Sequence, residues 1–278
     1  MSSRCAAPEP AIADWDAAYS NSGAVPEAPA IFARWTELAA GFRAQAPGAL
    51  DLPYGPHPRE RLDLFSPAGA AKGLLIYIHG GYWRAFDKSG SSHLAAGPLA
   101  RGWAVAIPSY PLCPEVRIAD IAASVARAVE AVAARVAGPI VLSGHSAGGH
   151  LAARLVCEGA PLAAPVADRV ALCVGISGVY DLRPLLRTAM NADLRLDPAQ
   201  CAAESPALLA PRDGARLVAW VGEDELPEFR RQSALIANVW RGLGAATACV
   251  EAPGRHHFDV VDDLADPDSA LAAALDVS

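Results

Sequence analysis

Residues Gly144-His145-Ser146-Ala147-Gly148 form the pattern Gly-x-Ser-x-Gly. Taken alone the pattern is weak, because Gly, Ser and Ala are common residues here. Its setting makes it specific. Pro139-Ile140-Val141-Leu142-Ser143 reads as a strand, and Gly149-His150-Leu151-Ala152-Ala153-Arg154-Leu155 opens a helix. The chain must turn sharply between them, in backbone geometry that glycine tolerates because it lacks a β-carbon. Such a turn lifts the Ser146 hydroxyl above a sheet and sets it at a helix N-terminus, where amides face developing negative charge. That is a nucleophile for acyl transfer, against the plainer alternative of an ordinary strand–turn–helix joint.

A second motif, His79-Gly80-Gly81-Tyr82-Trp83, directly follows the apolar run Leu74-Leu75-Ile76-Tyr77-Ile78. Its glycines free the backbone to aim amides of Gly80, Gly81 or Tyr82 at a substrate oxygen. With the amide of Ala147 they would form an oxyanion hole. A simple glycine turn is the alternative. Where such an elbow sits on a sheet, the catalytic order along the chain is Ser, acid, His. Only His256 and His257 lie beyond Ser146 in a suitable place. His257 precedes Phe258 and the apolar pattern Val260, Val261, Leu264, so it is the expected base, with His256 a solvated neighbour. The acid is expected in Gly222-Glu223-Asp224-Glu225-Leu226-Pro227, after a strand over 217–221. Glu225 is favoured because it stands just before the Leu-Pro that starts the next helix, and Asp224 is its rival. His150 is expected to be a packed histidine, bonded to nearby backbone.

These residues need a scaffold that brings them together. Buried-strand patterns occur at 73–78, 103–107, 140–143, 170–176, 217–221 and 247–252, with an alternating, edge-like run at Arg61–Phe65. Amphipathic helical patterns lie between them, clearest at 118–136, 147–157 and 228–243. Apolar strands separated by helices describe an α/β fold, a mostly parallel doubly wound sheet with helices on both faces. The chain is expected to form one domain over 1–278. Residues 1–50 make a helical extension whose stripe Ile31, Phe32, Trp35, Leu38, Ala39, Phe42 leans on the body without chemistry of its own. Residues 177–213 break the rhythm and are expected to form a cap- or lid-like insertion.

Composition narrows the partners. Apolar residues make up 53% of the chain and charged residues 19%, with a net charge of −7. The acidic balance and the lack of a basic run argue against nucleic acid and against a membrane surface. No apolar run approaches the ~20 residues needed to span a bilayer. The N-terminal stretch has no apolar leader core, so a cytoplasmic location is expected. The six cysteines lack metal-site or disulfide spacing. No set of residues has zinc-site spacing, no loop resembles a phosphate cradle, and the acidic run at 262–268 lacks the glycine of a calcium loop. No metal or other cofactor is expected. The expected partners are a small-molecule substrate and a second copy of the chain in a homodimer.

Taken together, HGGYW, GHSAGGHL, VGEDELPEFRRQS and HHFDVVDDL resemble the kynurenine formamidase (arylformamidase) branch of the α/β-hydrolases. The similarity runs from about Tyr54 to the final helix and includes Gly178-Val179-Tyr180-Asp181-Leu182 and Ser205-Pro206. It implies Ser146 as nucleophile, His257 as base, His79 to Trp83 as oxyanion motif, and Glu225 at the acid position, where aspartate is usual. The implied reaction is hydrolysis of N-formyl-kynurenine to kynurenine and formate, without a cofactor. Because the formyl group is tiny, specificity must come from the aryl side. Trp83, Tyr110, Tyr180 and Phe229, with Tyr82, are the expected substrate-binding aromatics. A carboxylesterase acting on small-acyl esters would use the same residues. A non-catalytic small-molecule receptor of the same fold would usually have lost the serine or the histidine.

Overall fold

The computed structural model describes residues 11–277. Cys5 and the first part of the N-terminal stretch read for a leader lie outside the described residues. Eight strands form one sheet: β1 (Gly48–Pro53), β2 (Arg61–Phe65), β3 (Leu74–Ile78), β4 (Ala104–Pro108), β5 (Ile140–His145), β6 (Val170–Ile176), β7 (Arg216–Gly222) and β8 (Ala246–Ala252). Their order is β1-β2-β4-β3-β5-β6-β7-β8. β1 and β2 pair antiparallel, and β3 to β8 run parallel.

Every residue of β3, β4 and β5 is buried, as strands covered on both faces should be. Alternation then sorts the side chains. Leu74, Ile76 and Ile78 pack on one face with the helices Ile118–Ala133, Ala147–Arg154 and Pro227–Gly242. Leu75 and Tyr77 pack on the other with Trp103, Val141 and Leu264, partly under the N-terminal helix Ala28–Gln45. β1 has no counterpart among the expected strands. It is mostly exposed, ends on Pro53, and shifts register between Ala49 and Leu52, where Asp51 is left-handed. Those features erase the alternation by which a strand is read.

The order 4-3-5-6 places a topological switch between β3 and β5. The chain leaves β3 toward one sheet edge and β5 toward the other, which opens a crevice beyond their carboxyl ends. Both glycine-bearing motifs lie there, HGGYW after β3 and the elbow after β5. Close packing is the condition for this. A β-carbon on Gly148 would lie 2.0 Å from the Ile78 carbonyl oxygen, and one on Gly144 would lie 2.3 Å from that of Gly148.

Gly148→Ala is therefore expected to destabilise the fold by at least ~1–3 kcal/mol, because it must displace backbone. Gly41, within the helix Ala28–Gln45, has nothing within 4 Å of its would-be β-carbon. Gly41→Ala should stabilise by about 0.5–1 kcal/mol. Urea midpoints that move in the same direction for both variants would contradict this account.

Candidate active site

Ser146 has φ 55° and ψ −118°, a conformation that costs a non-glycine residue free energy and persists only where its surroundings enforce it. The enforcement is visible. The Ser146 N–H donates to the Ile176 carbonyl at 2.8 Å, and its own carbonyl accepts from His150 N–H at 3.2 Å. The HGGYW loop lies against this turn, since a β-carbon on Gly80 would be 2.9 Å from the His145 carbonyl oxygen. Gly81, Tyr82, Trp83 and Phe86 all have positive φ. Several contacts brace that strained run. Arg84 and Ala85 N–H donate to the Gly81 carbonyl, Cys113 N–H donates to that of Trp83, and the Tyr110 hydroxyl donates to that of His79 at 2.8 Å. Among the described residues, the N–H groups of Gly80, Gly81, Tyr82 and Ala147 have no acceptor.

Across from Ser146, His257 is buried and its Nδ1 lies 2.7 Å from Glu225 Oε2. The other oxygen of Glu225 accepts from the Gly222 N–H at 2.8 Å and from the Ser177 hydroxyl. This carboxylate is held on every side, whereas Asp224 and Glu223 are exposed. Gly222 allows the approach, because a β-carbon there would strike the Arg255 carbonyl at 2.1 Å. An acceptor on Nδ1 places the imidazole proton there and turns Nε2 toward the cavity. Ser146 and His257 line the same cavity. No direct hydrogen bond joins their side chains, and such contacts commonly tighten only with substrate bound. His256 is half-buried instead of fully solvated. Its Nδ1 accepts from the N–H groups of Phe258 and Asp259 and so caps the turn that carries His257.

Three further histidines frame the site without being charged. His145 donates from Nε2 to the His257 carbonyl at 2.7 Å. Burial, then the neighbouring His257, holds its pKa well below the usual 6.5. His79 bonds the Gly80 carbonyl through Nδ1, and burial pushes its pKa down to about 4. His150 is packed behind the elbow, with Nε2 on the Glu204 carbonyl at 2.6 Å and its ring edge-on to Trp83. Burial lowers its pKa to about 4 as well.

The cavity beside Ser146 has a volume of about 660 Å³ and aromatic walls: Phe32, Trp35, Tyr77, Tyr82, Phe86 and Phe258. Of the aromatics expected on the substrate side, only Tyr82 borders it. Trp83, Tyr110, Tyr180 and Phe229 are fully buried elsewhere. Tyr110 stacks on His79 at 4.2 Å, and Phe229 supports His257 at 4.5 Å. Tyr180 packs against Gly175 and Gly178, where a β-carbon would collide with it. These four brace the catalytic loops from behind. The N-terminal extension, read as bare packing, instead supplies Asp16, Tyr19 to Ser22, Phe32, Trp35 and Thr36 to the wall. The 177–213 insertion supplies Ala189 and Met190. One helical stripe carries both the packing and the wall residues, and nothing in its period separates the two uses.

Sheet order, the strained elbow and the chain order of Ser146, Glu225 and His257 are those of an α/β-hydrolase. Kynurenine formamidase of Salmo salar is 30% identical over 254 residues, covering 86% of this chain and 84% of that protein. Its counterpart in Danio rerio is 29% identical, covering 81% of this chain and 80% of that one. The chain belongs to the kynurenine formamidase family and is a hydrolase. The BD-FAE family model matches residues 62–193. A crystal structure from Silicibacter sp. TM1040, described provisionally as a thioesterase, is 45% identical with a TM-score of 0.90. The match covers 94% of this chain and 98% of that one.

The buried histidines make stability depend on pH. Their folded-state pKa values lie below the unfolded value, so between about pH 6.5 and 5 the unfolded chain binds more protons. Stability should therefore fall as pH drops through this window, each of His79, His145 and His150 contributing about 1.4 kcal/mol per pH unit where it is fully effective. Urea unfolding across that range measures the slope. A flat profile would mean that these imidazoles take up protons without cost in the folded state.

Proposed function

We propose that this hydrolase cleaves aryl formamides, N-formyl-L-kynurenine foremost, through a formyl-enzyme on Ser146. The observation that carries the proposal is the His257–Glu225 pair facing Ser146 across an aromatic-walled cavity, in a chain of the kynurenine formamidase family. His257 Nε2 takes the hydroxyl proton as Ser146 Oγ attacks the formyl carbon. The unpaired amides of Gly80, Gly81, Tyr82 and Ala147 are the donors available to receive the oxyanion. The C–N bond then breaks, and His257 returns its proton to the departing arylamine. Water, deprotonated by His257, attacks the formyl ester and releases formate and Ser146. Glu225 holds the imidazole tautomer and stabilises the imidazolium formed in each half. Under the same proposal the protein works in the cytoplasm as one domain and as a homodimer, on a small molecule and without a cofactor. No helix among the described residues is long and apolar enough to cross a membrane.

The Silicibacter relative favours a second reading, in which the same residues hydrolyse a small-acyl ester or thioester. Comparison of kcat/KM for N-formyl-kynurenine and p-nitrophenyl acetate separates the two. A formamide value in the ~10⁴–10⁸ M⁻¹s⁻¹ range, above that of the ester, supports the proposal. Ester turnover with negligible formamide hydrolysis refutes it. Ser146→Ala should abolish both activities and fluorophosphonate labelling while leaving the circular dichroism unchanged. Normal turnover by that variant would remove the serine mechanism altogether. Glu225→Gln should cost up to about 10⁴-fold in kcat by misplacing the imidazole proton, and exposed Asp224→Asn little. The reverse order would move the acid to Asp224.

A further inference from the structure

The two edges of the sheet are built differently. β1 ends on Pro53 and shifts register between Ala49 and Leu52, where Asp51 is left-handed. Such devices keep a further strand from adding to an edge. β8, at the opposite edge, has none of them. Its sequence ATACVEA holds no proline, lysine or arginine, and it runs along β7 in unbroken register. Ala246, Ala248 and Cys249 are exposed and small, so another backbone can come close. Among the described residues, no strand pairs with its outer side.

Hydrogen bonds fix which groups that side presents. Ala246 N–H donates to the Ala215 carbonyl at 3.1 Å, and the Ala252 carbonyl accepts from Glu223 N–H at 2.9 Å. Both ends of β8 therefore turn even-numbered residues toward β7. Because the direction alternates along a strand, Thr247, Cys249 and Glu251 direct their N–H and carbonyl groups outward. The Thr247 carbonyl meets Arg241 Nη2 at 3.4 Å. Among the described residues, the other outward backbone groups have no partner.

This set is self-complementary. In an antiparallel pair about a two-fold axis at Cys249, that residue faces its own copy and Thr247 faces Glu251 of the second copy. Each facing pair exchanges two bonds, so every outward group is satisfied. Charge agrees with this register. Thr247 Oγ1 donates to the Ala237 carbonyl, and Glu251 Oε2 accepts from Arg230 Nη2, both on the helix Pro227–Gly242. The outward residues thus carry their side chains on that helical face, where Arg241 lies beside Thr247. Across the axis, the Glu251 carboxylate of one copy stands against the exposed Arg241 guanidinium of the other. An exposed ion pair of this kind sets register more than affinity.

We infer that β8 is the homodimer interface, where two antiparallel β8 strands join two sheets into one. The inference rests on the homodimer reading given above and names the surface that makes it. Closure follows from the same contrast between edges. The pairing uses up both β8 strands, and the protected β1 edges end the assembly at two copies.

The test is sedimentation velocity of the full-length protein across a concentration series. Cys249→Pro removes the central outward N–H while leaving every bond to β7, and should weaken dimerisation at least about tenfold. Cys249→Lys sets two ammonium groups opposite each other, and should weaken it similarly, with partial relief by salt. Cys249 lies away from the cavity, so both variants should hydrolyse p-nitrophenyl acetate as the unaltered protein does. Should the proline variant fail to fold, the lysine variant decides. A short bismaleimide should capture the dimer through Cys249, whose α-carbons would lie about 5.5 Å apart. Cys249→Ser should abolish capture and leave association intact. An unaltered protein that sediments as a monomer at every concentration overturns the homodimer reading and the inference with it. A dimer of unchanged affinity in Cys249→Lys, or one captured equally well in Cys249→Ser, overturns the inference alone.

Discussion

The backbone of β3 and the first turn of the helix after β5 occupy space that any side chain on Gly148 would need. Everything at the site depends on that contact. It draws the carboxyl ends of two neighbouring strands together at the point where the chain changes direction across the sheet. Because they are close, a loop leaving one strand can present free amides to a serine leaving the other. The strain at Ser146, Tyr82 and Trp83 follows from the same geometry, since two tight turns share a crevice too narrow for relaxed backbone. Surrounding contacts sustain it: the Ile176 carbonyl under Ser146, and Tyr110 stacked on His79.

The second half of the site is organised by one carboxylate. Glu225 accepts from Gly222, Ser177 and His257, so its position is determined by three elements at once. These donors satisfy the lone pairs of a carboxylate that is buried. His257 is likewise held from both ends, its ring nitrogen on Glu225 and its carbonyl on His145. A neutral His145 suits this place. A second positive charge 4.7 Å from the His257 ring would oppose the imidazolium on which the proposed reaction depends. Burial therefore serves the chemistry here by keeping a neighbouring base uncharged.

What could be read in advance, and what could not, divides along physical lines. β3 to β7 were legible because strands largely buried on both faces have to be apolar nearly throughout. β8, a mostly exposed edge strand and not the buried one its pattern suggested, was legible only through its run of apolar and β-branched residues. β1 was not, because an exposed, bulged edge strand has no such requirement. Ser146 was legible because only small residues fit around the elbow, and His257 because few histidines follow it in the chain. Glu225 could be separated from Asp224 only by its place before Leu226-Pro227; the deciding fact, three donors converging on one carboxylate, is tertiary. Aromatic residues carried least information about the site. Trp83, Tyr110, Tyr180 and Phe229 are buried as their type suggests, but type does not tell the lining of a cavity from the packing behind it.

That distinction explains why the cavity wall comes so largely from outside the motifs. The elbow, the oxyanion loop and the acid–base pair are constrained by sheet geometry and leave little room for variation. The N-terminal arm is attached by side-chain contacts: Tyr19 to Glu228 and Gln232, and Trp35 and Arg34 to Asp262. Such contacts can change one at a time without disturbing the sheet. An arm fixed in this way can supply different groups to the cavity while the catalytic backbone stays as it is. On the proposed mechanism the fold thus separates the part that performs acyl transfer from much of the cavity wall, which in this chain comes from residues before β1 and from Ala189 and Met190 of the insertion.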